Sequence, residues 1–300
     1  MKKIFIGPAS FGEINKSALT YLKSNGFEII KNNYGRKISK KELITILSDK
    51  DIIASIAGLE LYDKDVILSS GLKVISRLGS GVDNIELQIA NERDISVFTT
   101  PTGPVNSVAE LTLGMMIYLS RNIDQMKIDM MNGSWKRSYG NLLEGKNILI
   151  IGFGKIGKRV CKLLEAFNCN IIVVDPFAEK SNKYKLLSLN EALAISDIIT
   201  FHVNINEEII DRNNISLIKN NIILLNSSRG KVISEETIKY GIKHNKISSG
   251  WLDVFEDEPY FGDLNKYTNF ILTPHIGSFS IETRLQMEKE SVKNIIDFFS

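Results

Sequence analysis

The strongest constraint on this 300-residue chain is a rhythm: short, almost wholly apolar runs alternate with longer stretches of helical period. A first series of runs lies at residues 3–7 (KIFIG), 27–30 (FEII), 51–55 (DIIAS) and 72–76 (LKVIS). A second lies at 147–152 (NILIIG), 170–175 (NIIVVD), 197–200 (DIIT), 221–226 (NIILLN), 247–254 (ISSGWLDV) and 270–273 (FILT). Runs this apolar suit strands covered on both faces, and strands separated by helices pair in parallel through crossovers. The chain therefore reads as α/β, with two doubly wound parts. The series breaks over residues 99–146, where TTPTGPVNSVAEL opens a long helical pattern running to about Gly133. Asn106 or Ser107 reads as its cap, with Glu110 in its first turns. The stretch from Pro101 to Pro104 reads as the crossing between domains. After Thr273-Pro274 the tail is helical again from about Ser280.

Charge and composition narrow the classes. With 37 Lys and Arg against 35 Asp and Glu, the net charge of +2 makes no case for a nucleic-acid or membrane surface. The longest apolar run, near 111–119, is far below a membrane span, and the apolar part of MKKIFIGPAS is too short for a signal-peptide core. Two cysteines, Cys161 and Cys169, make neither a disulfide framework nor a metal site, and read as reduced thiols. The expectation is a soluble, cytoplasmic protein without a metal.

One local motif carries clear chemistry. In ILIIGFGKIGKRV, Gly152-x-Gly154-x-x-Gly157 follows a strand and opens a helix. Gly152 allows a tight turn off the strand, Gly154 lets backbone amides approach a pyrophosphate, and Gly157 lets helix and strand pack closely. The helix start at Lys155 and Ile156 then offers free N–H groups and the positive end of the helix dipole. The next strand ends at Asp175, 18 residues past Gly157, where a carboxylate accepts from the adenosine ribose hydroxyls. It also repels a 2′-phosphate, so NAD is favoured over NADP, although Lys180 and Lys183 follow shortly. His202, after a strand, reads as structural or cofactor-lining rather than catalytic, and Pro176 and Ser228 join the expected cofactor surface.

Three later stretches place ionisable residues after strands: NSSRG (226–230), DVFEDEP (253–259) and TPHIG (273–277). In open α/β sheets, ligands gather at the carboxyl ends of strands. The glycine loop, Arg-Gly, Asp-Val-Phe-x-x-Glu-Pro and Thr-Pro-His, in this order, resemble the D-isomer-specific 2-hydroxyacid dehydrogenases. RLGSGVDNIE (77–86) and SVAELTLGMM (107–116) are similar to that family too, especially its phosphoglycerate dehydrogenase branch in a short form without a C-terminal regulatory domain.

The resemblance implies that Arg229, Glu258 and His275 form the catalytic set. A histidine suits proton transfer at a carbonyl oxygen, a paired glutamate orients it, and a guanidinium matches carboxylate and carbonyl oxygens. It further implies that Asp253 accepts from the nicotinamide carboxamide, and that the amides of Gly79, Ser80, Gly81 and Val82 meet the substrate carboxylate. A glycine-flanked loop can form such an anion nest. Asp83 reads as a turn or cap residue, His244 as solvated, and the helix from about Ser107 as the element through which the NAD domains pair into a homodimer.

Two departures stand out. Where the family commonly has proline two residues after the strand-end histidine, this chain has Asn204. The loop 54–60 (ASIAGLE) lacks the arginine that many phosphoglycerate dehydrogenases place there, leaving Arg77 as the candidate for phosphate. The expected architecture is a flavodoxin-like substrate domain (1–99 with 278–300) and a Rossmann-type NAD domain (100–277), with the active site in the cleft between them. The implied reaction is hydride transfer between NAD and C2 of a small 2-hydroxy acid, first 3-phosphoglycerate. A hydroxypyruvate or glyoxylate reductase and a D-lactate type enzyme are the alternatives, and an NAD(H)-sensing corepressor-like protein is the rival from another class.

Overall fold

The computed structural model describes residues 2–179 and 183–300. Their contacts divide the chain into two compact units, Met1–Pro104 with Ser278–Ser300, and Val105–Gly277.

The first unit contains β1 (Lys3–Ile6), α1 (Ser17–Ser24), β2 (Glu28–Lys31), α2 (Lys40–Leu47), β3 (Ile52–Ala57), α3 (Lys64–Ser69), β4 (Val74–Arg77), α4 (Leu87–Glu92) and β5 (Ser96–Thr99), and from the chain's end α10 (Ile281–Phe299). The strands pair in parallel in the order β2-β1-β3-β4-β5, the flavodoxin-like arrangement. Strand periodicity explains the two cores. Ile4 and Ile6 join Ile56 and Val74 against Leu22 of α1 and Val292 and Ile295 of α10. Phe5, between them in sequence, joins Ile75 against Leu43 and Leu47 of α2 and Val66 of α3. Ser280 caps α10 by accepting from the Thr283 amide, at the point where the sequence reading starts the helical tail.

The second unit contains α5 (Pro104–Ser120), α6 (Ile123–Met131), β6 (Asn147–Ile151), α7 (Lys155–Leu164), β7 (Asn170–Val174), β8 (Lys185–Leu186), α8 (Leu189–Ile195), β9 (Ile198–Phe201), β10 (Ile222–Asn226), α9 (Glu235–Lys243), β11 (Ile247–Leu252) and β12 (Phe270–Leu272). Its parallel sheet runs β12-β11-β10-β9-β6-β7-β8. Strand order reverses between β6 and β9, which makes the doubly wound Rossmann topology. Ile148 and Ile150 face Ala109 and Met116 of α5 and Val160 and Leu164 of α7, while Leu149 and Ile151 face Leu193 of α8. Among the described residues, no helix is long and apolar enough to cross a membrane.

The structure corrects several local expectations. Helix α5 begins at Pro104, so Asn106 and Ser107 lie inside it and do not cap it. Proline has no N–H to lose and a fixed φ, which suits the first helical position. The long helical pattern is two helices, broken at Asn122, whose φ of 53° is left-handed. β11 stops at Leu252, two residues short of the end of the apolar run, and the buried Asp253 follows it. Two edge strands escaped the apolar-run reading: β5, whose residues are only partly covered, and the two-residue β8. Asp83 lies in a turn, and α4 follows Glu86. Cys161 is buried in α7, and burial pushes its thiol up to about 12, so it stays protonated and inert.

Candidate active site

In the second unit, the loops leaving β10, β11 and β12 converge. His275 follows β12 in a left-handed conformation (φ 54°), uncommon for a non-glycine residue. Its Nδ1 lies 2.8 Å from Glu258 Oε2, and neither side chain is fully exposed. The other Glu258 oxygen accepts the Phe255 amide at 3.2 Å, which sets the carboxylate's direction. With Nδ1 donating to this carboxylate, Nε2 is the nitrogen left for exchange with a ligand.

Asp253 explains how the histidine loop is held. Its buried carboxylate accepts from Thr273 Oγ1 (2.6 Å), the Ile276 amide (2.7 Å) and the Gly277 amide (2.7 Å). It therefore grips the chain on both sides of His275. Burial pushes this carboxyl above its ordinary value against the pull of the three donors. Trp251 Nε1 donates to Thr273 Oγ1 at 2.9 Å and extends the same brace into the core. This clamp was not foreseen from sequence. The polar residue ending the apolar run ISSGWLDV was its only signal.

Arg229 stands on the turn after β10. The buried Asn226 side chain shapes that turn: its Oδ1 accepts from the amide and hydroxyl of Ser228, and its Nδ2 donates to the Arg229 carbonyl. Arg229 Nη1 donates to the Ser228 carbonyl at 2.7 Å, and Nη2 donates to Asn204 Oδ1. Gly230 packs on the loop carrying Glu258: a Cβ there would lie 2.0 Å from the Phe255 carbonyl carbon. The turn of Arg229 and the loop of Glu258 thus touch through backbone, and Glu258 in turn holds His275.

The glycine loop follows its expected geometry. Gly152 has a φ of 97°, and a Cβ on it would meet the His202 carbonyl at 2.5 Å. A Cβ on Gly157 would lie 2.0 Å from the Gly152 carbonyl oxygen, so helix α7 and strand β6 approach as closely as only glycine permits. By contrast, nothing lies within 4 Å of a Cβ at the exposed Gly154, and no side chain caps the helix there. Helix α7 starts from this uncrowded, uncapped glycine, a cradle that fits a pyrophosphate on the amides of Lys155 and Ile156. Asp175 accepts the Phe153 amide (2.6 Å) and the Phe177 amide (2.8 Å), with lone pairs to spare for ribose hydroxyls. Pro176 beside it is exposed. Lys183 pairs with Glu165 at 2.8 Å, and Lys180 lies outside the described residues. His202 is buried, its Nε2 is 3.1 Å from Thr200 Oγ1, and desolvation pulls it down to about 3. It is neutral at physiological pH and carries no imidazolium proton to transfer. His244 instead ends α9 and stacks on Tyr240.

In the first unit, the loop after β4 is tied at both ends. The Gly79 amide donates to Thr100 Oγ1 at 2.8 Å, so it is engaged; of the residues that follow, Ser80 is exposed, Val82 half-buried and Gly81 buried. Arg77 Nη1 donates to the neighbouring Leu78 carbonyl and lies under Gly79. Asn84 Nδ2 donates to the carbonyls of Gly58 and Glu60, which laces this loop to the one after β3. Glu60 is the residue sequence reading missed. It is buried, its Oε2 accepts the Gly58 amide at 2.6 Å, and it fills the space beside Gly7. Desolvation raises its carboxyl, against the opposing charges of Arg77 and Lys37.

A Rossmann unit with an open glycine cradle and an imidazole–carboxylate pair at the same strand ends defines a class: dinucleotide-binding α/β proteins with an acid–base pair at the carboxyl ends of the sheet. The profile described as "D-isomer specific 2-hydroxyacid dehydrogenase, NAD binding domain" matches residues 113–277. The chain is 37% identical over 258 residues to the D-3-phosphoglycerate dehydrogenase of Methanocaldococcus jannaschii, covering 82% of this chain and 49% of that protein. It is 32% identical over 268 residues to the hydroxypyruvate reductase of Thermotoga maritima, covering 86% of this chain and 88% of that one. It superposes on the TT0316 protein of Thermus thermophilus with a TM-score of 0.87 at 27% identity, covering 97% and 95% of the two chains. The chain belongs to the D-isomer specific 2-hydroxyacid dehydrogenase family, whose cofactor is NAD. It spans about half the length of the phosphoglycerate dehydrogenase it matches.

Proposed function

We propose that this protein interconverts a small D-2-hydroxy acid and its 2-keto acid, with Arg229, Glu258 and His275 as the working set. The observation that carries the reading is the 2.8 Å bond between His275 Nδ1 and Glu258, on a loop clamped by Asp253. In reduction, His275 Nε2 gives its proton to the carbonyl oxygen, and in oxidation it takes the hydroxyl proton. Glu258 stabilises the imidazolium and fixes the ring. Arg229 binds the carboxylate and steadies charge developing on the carbonyl oxygen. NADH, when bound, supplies the hydride to C2. The amides at Gly154, Lys155 and Ile156 hold the pyrophosphate, Asp175 the adenosine ribose, and Pro176 lines the remaining exposed cofactor surface, with the buried His202, Ser228 and Asp253 behind it. The units Met1–Pro104 with Ser278–Ser300 and Val105–Gly277 serve as substrate-binding and NAD-binding domains.

The first substrate is 3-phosphoglycerate with 3-phosphohydroxypyruvate, which places the protein in serine biosynthesis; the likeness to the M. jannaschii enzyme supports this. Arg77, with the amides of Ser80, Gly81 and Val82 after Gly79, would take the anionic groups. A specific observation favours a second reading, the hydroxypyruvate or glyoxylate class: Arg77 is turned onto its own backbone, next to the buried acid Glu60. The reading includes a cytoplasmic homodimer through the NAD domains, supported by the apolar residues Met131, Trp135, Tyr139 and Leu142, all more than half exposed. Loss of NADH absorbance with 3-phosphohydroxypyruvate, hydroxypyruvate, glyoxylate, pyruvate and 2-ketoglutarate tests it. Preference for the phosphorylated acid supports the first reading, and preference for another acid supports the second. Silence across the panel with intact NADH binding overturns both in favour of an NAD-sensing protein.

A further inference from the structure

We infer that Asn204 is a positioning residue that presets the Arg229 guanidinium before the acid arrives, which rests on the reading of Arg229 as the carboxylate-binding group. Asn204 follows β9, and Arg229 follows the neighbouring strand β10, paired with it in parallel from Ile198–Ile223 to Phe201–Asn226. The two loops therefore leave the sheet side by side. Asn204 Oδ1 accepts from Nη2, while the Ser228 carbonyl accepts from Nη1 at 2.7 Å. Acceptors from two different loops thus fix the plane of a rigid five-donor fork.

The chemistry of the acceptor matters. An amide oxygen directs the guanidinium without cancelling its charge. A carboxylate in the same place would form an ion pair and compete with the carboxylate of the substrate. Proline, alanine or any aliphatic residue would leave Nη2 without this acceptor. A neutral acceptor therefore orients the arginine without adding an ion pair at Nη2, in keeping with electrostatic preorganisation. Asn204 is itself exposed, so the contact adds little to packing, and its removal leaves the fold undisturbed.

The test uses the full chain with Asn204→Ala, Asn204→Asp and Asn204→Gln. Steady-state turnover is measured on the best 2-keto acid of the panel, with NADH affinity from fluorescence. Asn204→Ala should raise KM for the acid about tenfold, with kcat and NADH affinity within about twofold. Asn204→Asp should raise KM further at pH 8, and less at pH values where the new carboxylate is protonated. Asn204→Gln should recover part of the loss. An unchanged KM in Asn204→Ala overturns the assignment, and equal losses in kcat, KM and NADH affinity show a merely structural role and overturn it too. A second readout needs no turnover: the rate at which phenylglyoxal modifies Arg229, followed by peptide mass spectrometry. Release of the guanidinium should speed modification several-fold in Asn204→Ala, and an unchanged rate refutes the contact. If the wild-type chain turns over no acid of the panel, the functional reading fails, and the phenylglyoxal arm still decides whether Asn204 holds Arg229.

Discussion

Acidification should weaken the NAD-binding unit through one residue, His202. Its ring is buried beside Thr200 at the end of β9 and is held neutral, pulled down to about 3 by desolvation. In the unfolded chain it titrates near ~6.5. The folded value is the lower, so the unfolded state takes up a proton first as pH falls. Stability from this group is intact above pH ~6.5 and declines steadily toward pH ~3, at about 1.4 kcal/mol per unit. Between pH 7.5 and 5.0 the loss works out at about 2 kcal/mol. The replacement His202→Gln keeps a hydrogen-bonding side chain beside Thr200 and removes the titration. Urea unfolding at both pH values is followed by fluorescence of Trp251, fully buried in the same unit; the other tryptophan, Trp135, is 81% exposed and responds little. The wild-type midpoint should fall by about 1 M more than that of the variant between the two pH values. Other acids, such as the raised Asp253, are common to both proteins and cancel in the comparison. Parallel pH dependences for the two proteins would refute the reasoning, since they would mean that His202 is solvated or already charged.

Three further outcomes follow from the same geometry. His275→Ala should reduce turnover by about 10²–10⁴ while leaving NADH affinity within about twofold, and stopped-flow reduction plus a fluorescence titration separates the two. Gly157→Ala forces a methyl to within 2.0 Å of the Gly152 carbonyl oxygen; it should cost about 2–4 kcal/mol, visible as a Tm lower by about 5–15 °C with NADH binding lost. Asp175→Ala should weaken NAD about tenfold more than NADP. Both affinities will drop somewhat, because Asp175 also holds the Phe153 amide, so the ratio is the decisive number.

Much of this was legible in the sequence because it depends on local pattern. Strands covered on both faces read as uninterrupted apolar runs, and ten of them appear where the structure has strands, within a residue or two. The glycine loop was legible because each glycine answers a steric demand within a few residues: Gly152 against His202, Gly157 against Gly152. What stayed hidden depends on partners far away in the chain. The grip of Asp253 on residues 276 and 277 joins groups 23 and 24 positions apart. Asn204 and Arg229 are 25 apart. Glu60 looked like part of an unremarkable loop until the chain buried it beside Gly7. The break in the long helix was missed because Asn122 marks it only through a left-handed backbone, and the apolar period continues on either side.

The three-residue stretch after β9 carries a kinetic consequence. At one end, the His202 carbonyl bears on Gly152 of the glycine cradle; at the other, Asn204 bears on Arg229. A dinucleotide in the cradle would lie beside the turn at Gly152, and the same stretch ends at the residue that holds the guanidinium. The expectation is that the two binding events are coupled through this stretch. Nucleotide should enter first and leave last, with the acid finding its arginine ready only in the loaded enzyme. Product-inhibition patterns read this directly: NAD should compete with NADH alone, and the hydroxy acid should compete with neither substrate. Random addition would mean that the stretch yields without transmitting.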